Sequence, residues 1–201
     1  MRRRQWLALA GHSLPFGLLL AWGVAPAKAL GGTLPDLDKL APVFDLDGVA
    51  PPQGRRSAKG GTDAKAVRLR SADFQGRWLV LYFYPKDFTS GCTLEARSFQ
   101  AALADFHQRG AEVVGISADD AEAHLSFCAA EGLAYPLLSD PGGHVSRAYG
   151  SWLAPYSQRH TFLIDPSGQL RARWVGVRPM GHGQEVLTEL QRLQQLEASA
   201  G

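Results

Sequence analysis

One cysteine lies where a thiol would be chemically active. Cys92 follows the run Trp78–Tyr84, which is continuously apolar, β-branched or aromatic, and it stands at the start of a helical pattern. The first turn of a helix has unsatisfied N–H groups and partial positive charge, and both favour a thiolate over a thiol. Because the thiolate is the nucleophile, this location predicts a reactive cysteine. A cysteine at a helix start is also, taken alone, a common small core residue.

Three further residues could assist such a thiolate, although each has an ordinary structural explanation. Pro85 alone simply ends a strand, and Thr89 alone is a good helix cap because its hydroxyl can accept N–H bonds. Arg159 alone would be a surface cation on an edge strand. Alternation along that strand places Arg159 and Thr161 on one face and His160 on the other.

The second cysteine, Cys128, lies 36 residues after Cys92 in a predicted helix. In an oxidising compartment the two could form a structural disulfide, and an exported, non-enzymatic binding domain held by that disulfide stays open as an alternative. A Cys-x-x-Cys exchange motif is excluded because residue 95 is glutamate. His124 lies one turn before Cys128, but two such ligands are too few to predict a metal site.

The order of strands and helices predicts how the fold positions Cys92. Two buried strands alternate with two helices, and the turn Asp165–Gly168 then joins two further strands before a final amphipathic helix. This order predicts an α/β sandwich with a central mixed sheet, helices on both faces and parallel, right-handed first units, which suits a thioredoxin-like fold. The predicted strands are Pro42–Leu46, Trp78–Tyr84, Ala111–Ser117, Arg159–Ile164 and Gln169–Val175. The predicted helices are Ser90 to Gly110, Ala121–Ala130 and Glu185–Leu196. The apolar residues expected on one side of the first helix are Leu94, Phe99, Leu103 and Phe106.

The first 29 residues have the pattern of a cleaved export signal. Three arginines precede an apolar stretch from Leu14 to Ala25, and the small residues of Ala27-Lys28-Ala29 form a peptidase site. The segment Arg3 to Leu7 partly resembles a twin-arginine signal, so the export route stays open. An uncleaved anchor is the alternative, but the apolar stretch is short for a membrane span. We therefore predict an exported protein, in a periplasm or an equivalent lumen.

The mature part, residues 30–201, reads as one domain. Residues 1–29 carry four basic side chains and no acidic one, so the formal charge changes from +2 to −2 after cleavage. A nearly neutral domain has no electrostatic footprint for nucleic acid. Residues 30–40 read as a loose lead-in, and residues 47–65, rich in Gly, Pro and charge, as a mobile loop.

The surroundings of Cys92 resemble a known enzyme family. Pro85-x-x-x-Thr89-x-x-Cys92 is similar to the signature of peroxiredoxins, and YFYPKDFTSGCTLEA resembles their bacterioferritin comigratory protein, or Q-type, subgroup. The resemblance continues through Val114–Ser117, Pro136–Asp140 and Arg159–Asp165. It covers roughly residues 40–195, so it concerns nearly the whole mature domain.

The resemblance implies a thiol-dependent peroxidase that reduces hydrogen peroxide and organic hydroperoxides. Cys92 would attack the peroxide and become a sulfenic acid. Thr89 and the backbone N–H of Cys92 would position the peroxide, and Pro85 would shield the site from water. Arg159 would stabilise the thiolate and the negative charge on the departing oxygen.

The resemblance also bears on how the sulfenic acid is resolved. Many relatives carry a resolving cysteine five residues after the first, where this chain has Arg97. Some instead resemble this chain in having it in the later helix, which implies a Cys92–Cys128 disulfide reduced by thioredoxin or a similar dithiol. Local unwinding would then be needed. An inert Cys128 in a one-cysteine enzyme stays open. The subgroup implies a monomer without a cofactor.

Overall fold

A seven-stranded mixed sheet is the centre of the protein. The computed structural model describes residues 28–51 and 64–200. Across the sheet the strands run β7-β6-β3-β4-β5-β1-β2; β3, β4 and β5 are parallel, and all other neighbouring pairs are antiparallel. Their bounds are β1 Asp45–Ala50, β2 Lys65–Arg70, β3 Trp78–Phe83, β4 Ala111–Ser117, β5 Leu137–Ser139, β6 His160–Ile164 and β7 Leu170–Val175.

Helices cover both faces of this sheet, as predicted. The chain passes from β3 to the neighbouring β4 and then to the neighbouring β5, in one direction across the sheet. Because such parallel crossovers are right-handed, the helices that make them, α1 and α2, lie on the same face. Helix α4 joins them there, while α3 and a 3₁₀ turn, Ser71–Phe74, lie on the other face. The helices are α1 Ser90–Gln108, α2 Ala121–Glu131, α3 His144–Ala148 and α4 His182–Ala200.

The central elements form where the sequence predicts them because their patterns are strong. Every residue of β3 is buried, as expected for a strand covered on both faces, and the strand ends before Pro85. Helix α2 begins at Asp120, whose carboxylate accepts the Ala123 N–H at 2.9 Å, and ends at Gly132 in the left-handed conformation.

The first strand and the 47–65 loop were predicted with wrong boundaries. The strand begins at Asp45 and continues to Ala50, because β2, which was not predicted, pairs along its full length. Gly48, which suggested a loop, is required for close packing: a Cβ there would lie 2.2 Å from the Leu137 carbonyl oxygen. Residues 52–63 lie outside the described residues.

Smaller differences concern the ends and short elements. Strand β6 begins at His160 rather than Arg159, β7 begins at Leu170 rather than Gln169, and α4 begins at His182 and extends beyond Leu196. Leu94 is exposed, whereas the three other apolar residues predicted for its side of α1 are buried. The lead-in contains an antiparallel pair, Lys28–Ala29 with Gly32–Thr33; another short pair joins Trp152–Leu153 to Tyr156–Ser157. Residues 1–27 of the predicted signal lie outside the described part.

Candidate active site

Cys92 lies in the first turn of α1, beyond the carboxyl end of β3. Its side chain is a free thiol and is almost fully buried. The first hydrogen bond of the helix runs from the Thr93 N–H to the Thr89 carbonyl at 2.9 Å, so Cys92 lies within the turn whose N–H groups precede the helical ladder. The partial positive charge of a 19-residue helix therefore acts at the sulfur.

Arg159 reaches this sulfur from the neighbouring strand. Strand β6 pairs with β3 in the register His160 to Phe83, which brings the residue before β6 next to the end of β3. The Nη2 of Arg159 donates to Cys92 Sγ at 3.5 Å. Burial opposes the guanidinium charge, but Glu95 and Cys92 outweigh it and raise the pKa of Arg159. A fixed cation therefore faces the thiol. Thr161 lies on the same side of the sheet as Arg159, as the alternation along the strand predicted.

Glu95 is the site residue that sequence reasoning missed. Its carboxylate is completely buried one turn after Cys92 and accepts a hydrogen bond from Arg159 Nη1 at 2.5 Å. Burial raises the pKa of Glu95 to about 7, although Arg159 acts in the opposite direction. The available signal was a glutamate three residues after Cys92, on the buried face of the helix. Glu95 orients the guanidinium against the sulfur.

Thr89 and Pro85 form the rim of the site. Thr89 is the N-cap residue of α1, yet its hydroxyl donates to the Lys86 carbonyl at 3.1 Å and does not cap the helix. Thr89 therefore occupies the predicted cap position without the predicted side-chain hydrogen bond, and its role toward peroxide stays a prediction. Pro85 is half-buried between β3 and the loop that leads to α1. Its shielding role likewise stays a prediction.

Comparison with known proteins decides what kind of thiol site this is. The sequence model of the AhpC/TSA family matches residues 38–173. The chain belongs to the AhpC/TSA family. It is 42% identical to peroxiredoxin Bcp of Xanthomonas campestris pv. campestris over 143 residues, which are 67% of this chain and 86% of that one. The resemblance to the bacterioferritin comigratory, or Q-type, peroxiredoxins is thereby confirmed, and the chain is an enzyme, a peroxidase.

Solved structures agree with this assignment. A mutant of peroxiredoxin Q from Xylella fastidiosa matches with a TM-score of 0.62 and 36% identity, covering 64% of this chain and 84% of that one. Reduced 2-Cys peroxiredoxin from Plasmodium vivax matches with a TM-score of 0.69 and 29% identity, covering 81% and 98%. The predicted thioredoxin-like fold is confirmed.

The second cysteine of this peroxiredoxin lies deep in α2. Cys128 is a free thiol with no exposed surface, and it belongs to the same core cluster as Cys92. Burial, and then the nearby carboxylate of Asp87, raise the pKa of Cys128 to about 12. In this conformation Cys128 is therefore a protonated, unreactive thiol.

The loop that carries Pro85 and Thr89 also packs against α2. Phe88 adopts a left-handed backbone conformation, with φ 59°, and its half-exposed ring lies edge-on to Phe127 with the centroids 5.1 Å apart. One residue earlier, the buried carboxylate of Asp87 contacts His124 of α2 at 2.8 Å. These two contacts connect the segment before Cys92 to the helix that carries Cys128.

Proposed function

We propose that Cys92 reduces hydrogen peroxide and organic hydroperoxides. Its thiolate attacks the terminal oxygen, the O–O bond breaks, and the products are the Cys92 sulfenic acid and water or an alcohol. The observation that carries this proposal is the Arg159 guanidinium, which contacts the Cys92 sulfur while Glu95 holds it in place. The related bacterioferritin comigratory protein of X. campestris is described as reducing alkyl peroxides.

The other site residues would position the substrate. Arg159 would stabilise the thiolate before the attack and the departing oxygen during it, since both carry negative charge next to the same cation. Thr89, with the N–H of Cys92, would hold the peroxide at the helix start, and Pro85 would keep bulk water from the sulfur.

Cys128 would then resolve the sulfenic acid as an intramolecular disulfide. Two structures of X. campestris peroxiredoxin Q carry cysteine-to-serine mutations 36 positions apart, the spacing that separates Cys92 from Cys128. We expect local unwinding around Cys92 or Cys128 to bring the sulfurs to bonding distance, since each cysteine is buried within a helix. The alternatives are an inert Cys128 with resolution by an external thiol, and a permanent structural disulfide.

Thioredoxin or a similar dithiol would reduce this disulfide. A mitochondrial relative from Drosophila melanogaster, 38% identical over 145 residues, is named a thioredoxin-dependent peroxide reductase. We also propose that the enzyme is an exported monomer, acting in a periplasm or a similar lumen after loss of residues 1–29. In the described ranges, 28–51 and 64–200, no helix is long and apolar enough to cross a membrane. N-terminal sequencing of the protein from cell fractions tests cleavage and location together.

Peroxide consumption by the mature protein tests the chemistry. Wild type, Cys92→Ser and Cys128→Ser are compared with thioredoxin and with a small thiol as reductants. We expect Cys92→Ser to be inactive with both, and Cys128→Ser to lose activity with thioredoxin but keep it with the small thiol. Full activity of Cys128→Ser with thioredoxin would identify a one-cysteine enzyme. An inactive wild type with a disulfide that resists reduction would support the structural alternative.

A further inference from the structure

A buried polar cluster lies near Cys128. The Asp87 carboxylate contacts His124 Nδ1 at 2.8 Å with one oxygen and accepts the Tyr84 hydroxyl at 2.8 Å with the other. His124 has no exposed surface, and Asp87 and Tyr84 are nearly as deeply buried. The reaction at Cys92 uses none of these three groups.

The contacts of His124 leave one ring nitrogen available as a base. A carboxylate only accepts hydrogen bonds, so in the neutral imidazole the proton lies on Nδ1, toward Asp87, and Nε2 carries the lone pair. Nε2 is buried and has no hydrogen-bond partner among the residues that the structure describes. Buried polar atoms are nearly always paired, so an unpaired base in the core requires an explanation.

His124 lies one helical turn before the proposed resolving thiol, and no hydrogen bond joins the two side chains in this conformation. His124 and Cys128 are four residues apart in one helix, so their side chains lie on the same face, and both are fully buried there. Proton transfer between them therefore requires that α2 stays helical between them and that the first turn of α1 is the part that unwinds. The carboxylate of Asp87 is close enough to contribute to the raised pKa of Cys128. A thiol in this environment cannot supply a thiolate without a proton acceptor.

We propose that His124, oriented by Asp87, accepts the Cys128 thiol proton during disulfide formation. The Cys128 sulfur attacks the Cys92 sulfenic sulfur, the S–S bond forms, and the S–O bond of the sulfenic acid breaks. The departing hydroxide takes the proton from His124 and leaves as water, so that no further oxidant or reductant is needed. This inference rests on the proposed resolving role of Cys128.

If Asp87 and His124 had only a structural role, loss of their contact would not slow disulfide formation. Asp87 belongs to the segment before α1, and His124 belongs to α2, so their contact also joins the two elements that carry the cysteines. If the contact only held these elements together, its loss would ease local unwinding and accelerate disulfide formation. If His124 accepts the proton, its loss slows that step.

Single-turnover oxidation of the full mature protein separates the two roles. One equivalent of hydrogen peroxide is added, free thiols are trapped at intervals, and sulfenic acid and disulfide are counted by mass spectrometry. His124→Gln keeps an amide that can donate to Asp87 but removes the base, and His107→Gln on the exposed side of α1 is the matched control. We expect sulfenic acid to form at the wild-type rate in both variants. Disulfide formation should slow about tenfold or more in His124→Gln alone.

The pH profile provides a second readout. The ionisable groups next to His124 are Asp87 and Tyr84 before α1 and Cys128 on its own helix, and Tyr135 after α2 lies near Asp87 and Cys128. Without the base, hydroxide must deprotonate Cys128, so the His124→Gln rate should rise almost tenfold per pH unit between about 6 and 9. Wild type should rise less steeply. Longer-lived sulfenic acid should also raise the yield of sulfinic acid at excess peroxide.

Each outcome has a distinct meaning. Unchanged or faster disulfide formation in His124→Gln overturns this inference and leaves the resolving role of Cys128 intact. A wild type that forms sulfenic acid but no intramolecular disulfide refutes the resolving role itself. If His124→Gln does not fold, Asp87→Asn is tested in its place. The asparagine amide no longer favours the proton on Nδ1 of His124, so disulfide formation should slow. Equal rates of disulfide formation in Asp87→Asn and wild type would overturn the inference.

Discussion

The two cysteines share a core and differ in what surrounds them. Cys92 lies at a helix start with the Arg159 guanidinium 3.5 Å from its sulfur, whereas Cys128 lies inside a helix with a carboxylate, Asp87, nearby. A cation and a helix start favour a thiolate, while burial and a neighbouring carboxylate favour a protonated thiol. Burial alone therefore does not decide whether a cysteine reacts; the sign of the nearby charge does.

Thiol alkylation should show the largest contrast between the two sites. With the raised pKa of Cys128 at about 12, its thiolate is nearly absent at pH 7. We expect iodoacetamide to modify Cys92 at least about 10³-fold faster than Cys128 in the folded, reduced protein. Peptide mass spectrometry over time measures both rates, and the contrast should disappear in denaturant. Equal rates in the folded protein would break the comparison.

Removing the cation should make the first site resemble the second. Arg159→Met keeps an unbranched side chain but removes the charge, and we expect peroxide reduction to slow by about 10²- to 10³-fold. Arg159→Lys should lie between, because an ammonium keeps the charge but cannot hold Glu95 and Cys92 in one planar fork. The rate of sulfenic acid formation is the measurement.

The Arg159→Met variant also leaves the Glu95 carboxylate buried without its partner, which can destabilise the fold. The double variant Arg159→Met with Glu95→Gln controls for this effect. If the double variant recovers the wild-type rate, the charge of Arg159 is not what activates Cys92.

Glu95 should affect both reactivity and the dependence of stability on pH. Glu95→Gln should slow sulfenic acid formation about tenfold, since Arg159 loses its charged anchor. Because the pKa of Glu95 is raised to about 7, the folded protein binds a proton more tightly than the unfolded chain. The stability from this group is present below pH 4.5 and is lost as pH rises to 7, by about 3 kcal/mol.

Urea unfolding between pH 4 and 8 measures this dependence. As the pH rises, ionisation of Glu95 should lower the free energy of unfolding of the wild type. This decrease should be absent in Glu95→Gln. An identical pH dependence in the two proteins would mean that the salt bridge to Arg159 keeps Glu95 ionised throughout this range.

The smallest effect should come from the aromatic contact between the two regions. Phe88→Ala removes the ring that packs on Phe127, and we expect the free energy of unfolding to fall by about 1 kcal/mol. The segment before α1 should unwind more easily, so disulfide formation should accelerate a few-fold, whereas His124→Gln should slow it. Phe88→Leu is the conservative control. Slower resolution in Phe88→Ala would mean that this contact guides the thiols together.

Strong local patterns allowed much of the fold to be predicted. The apolar runs, and the glycines that end the helices, correctly predicted the positions of α1, β4 and α2. The strand β1–β2 pairing was missed because its backbone hydrogen bonds join segments separated by a glycine-rich stretch. Strand β2 alternates at Val67-Arg68-Leu69-Arg70, but so short a pattern after a glycine-rich stretch did not indicate a partner strand, and Gly48 was interpreted as part of a loop.

The sequence by itself determined the motif from Pro85 to Cys92, and with it the family and the residue that we propose to attack the peroxide. Only the tertiary structure brought Arg159 and Glu95 together at the sulfur and Asp87 together with His124 beside Cys128. The physical reason is that a local motif is encoded by neighbouring residues in one turn. These charge pairs join strands and helices 37 to 67 residues apart, and their meaning depends on burial that no local pattern specifies.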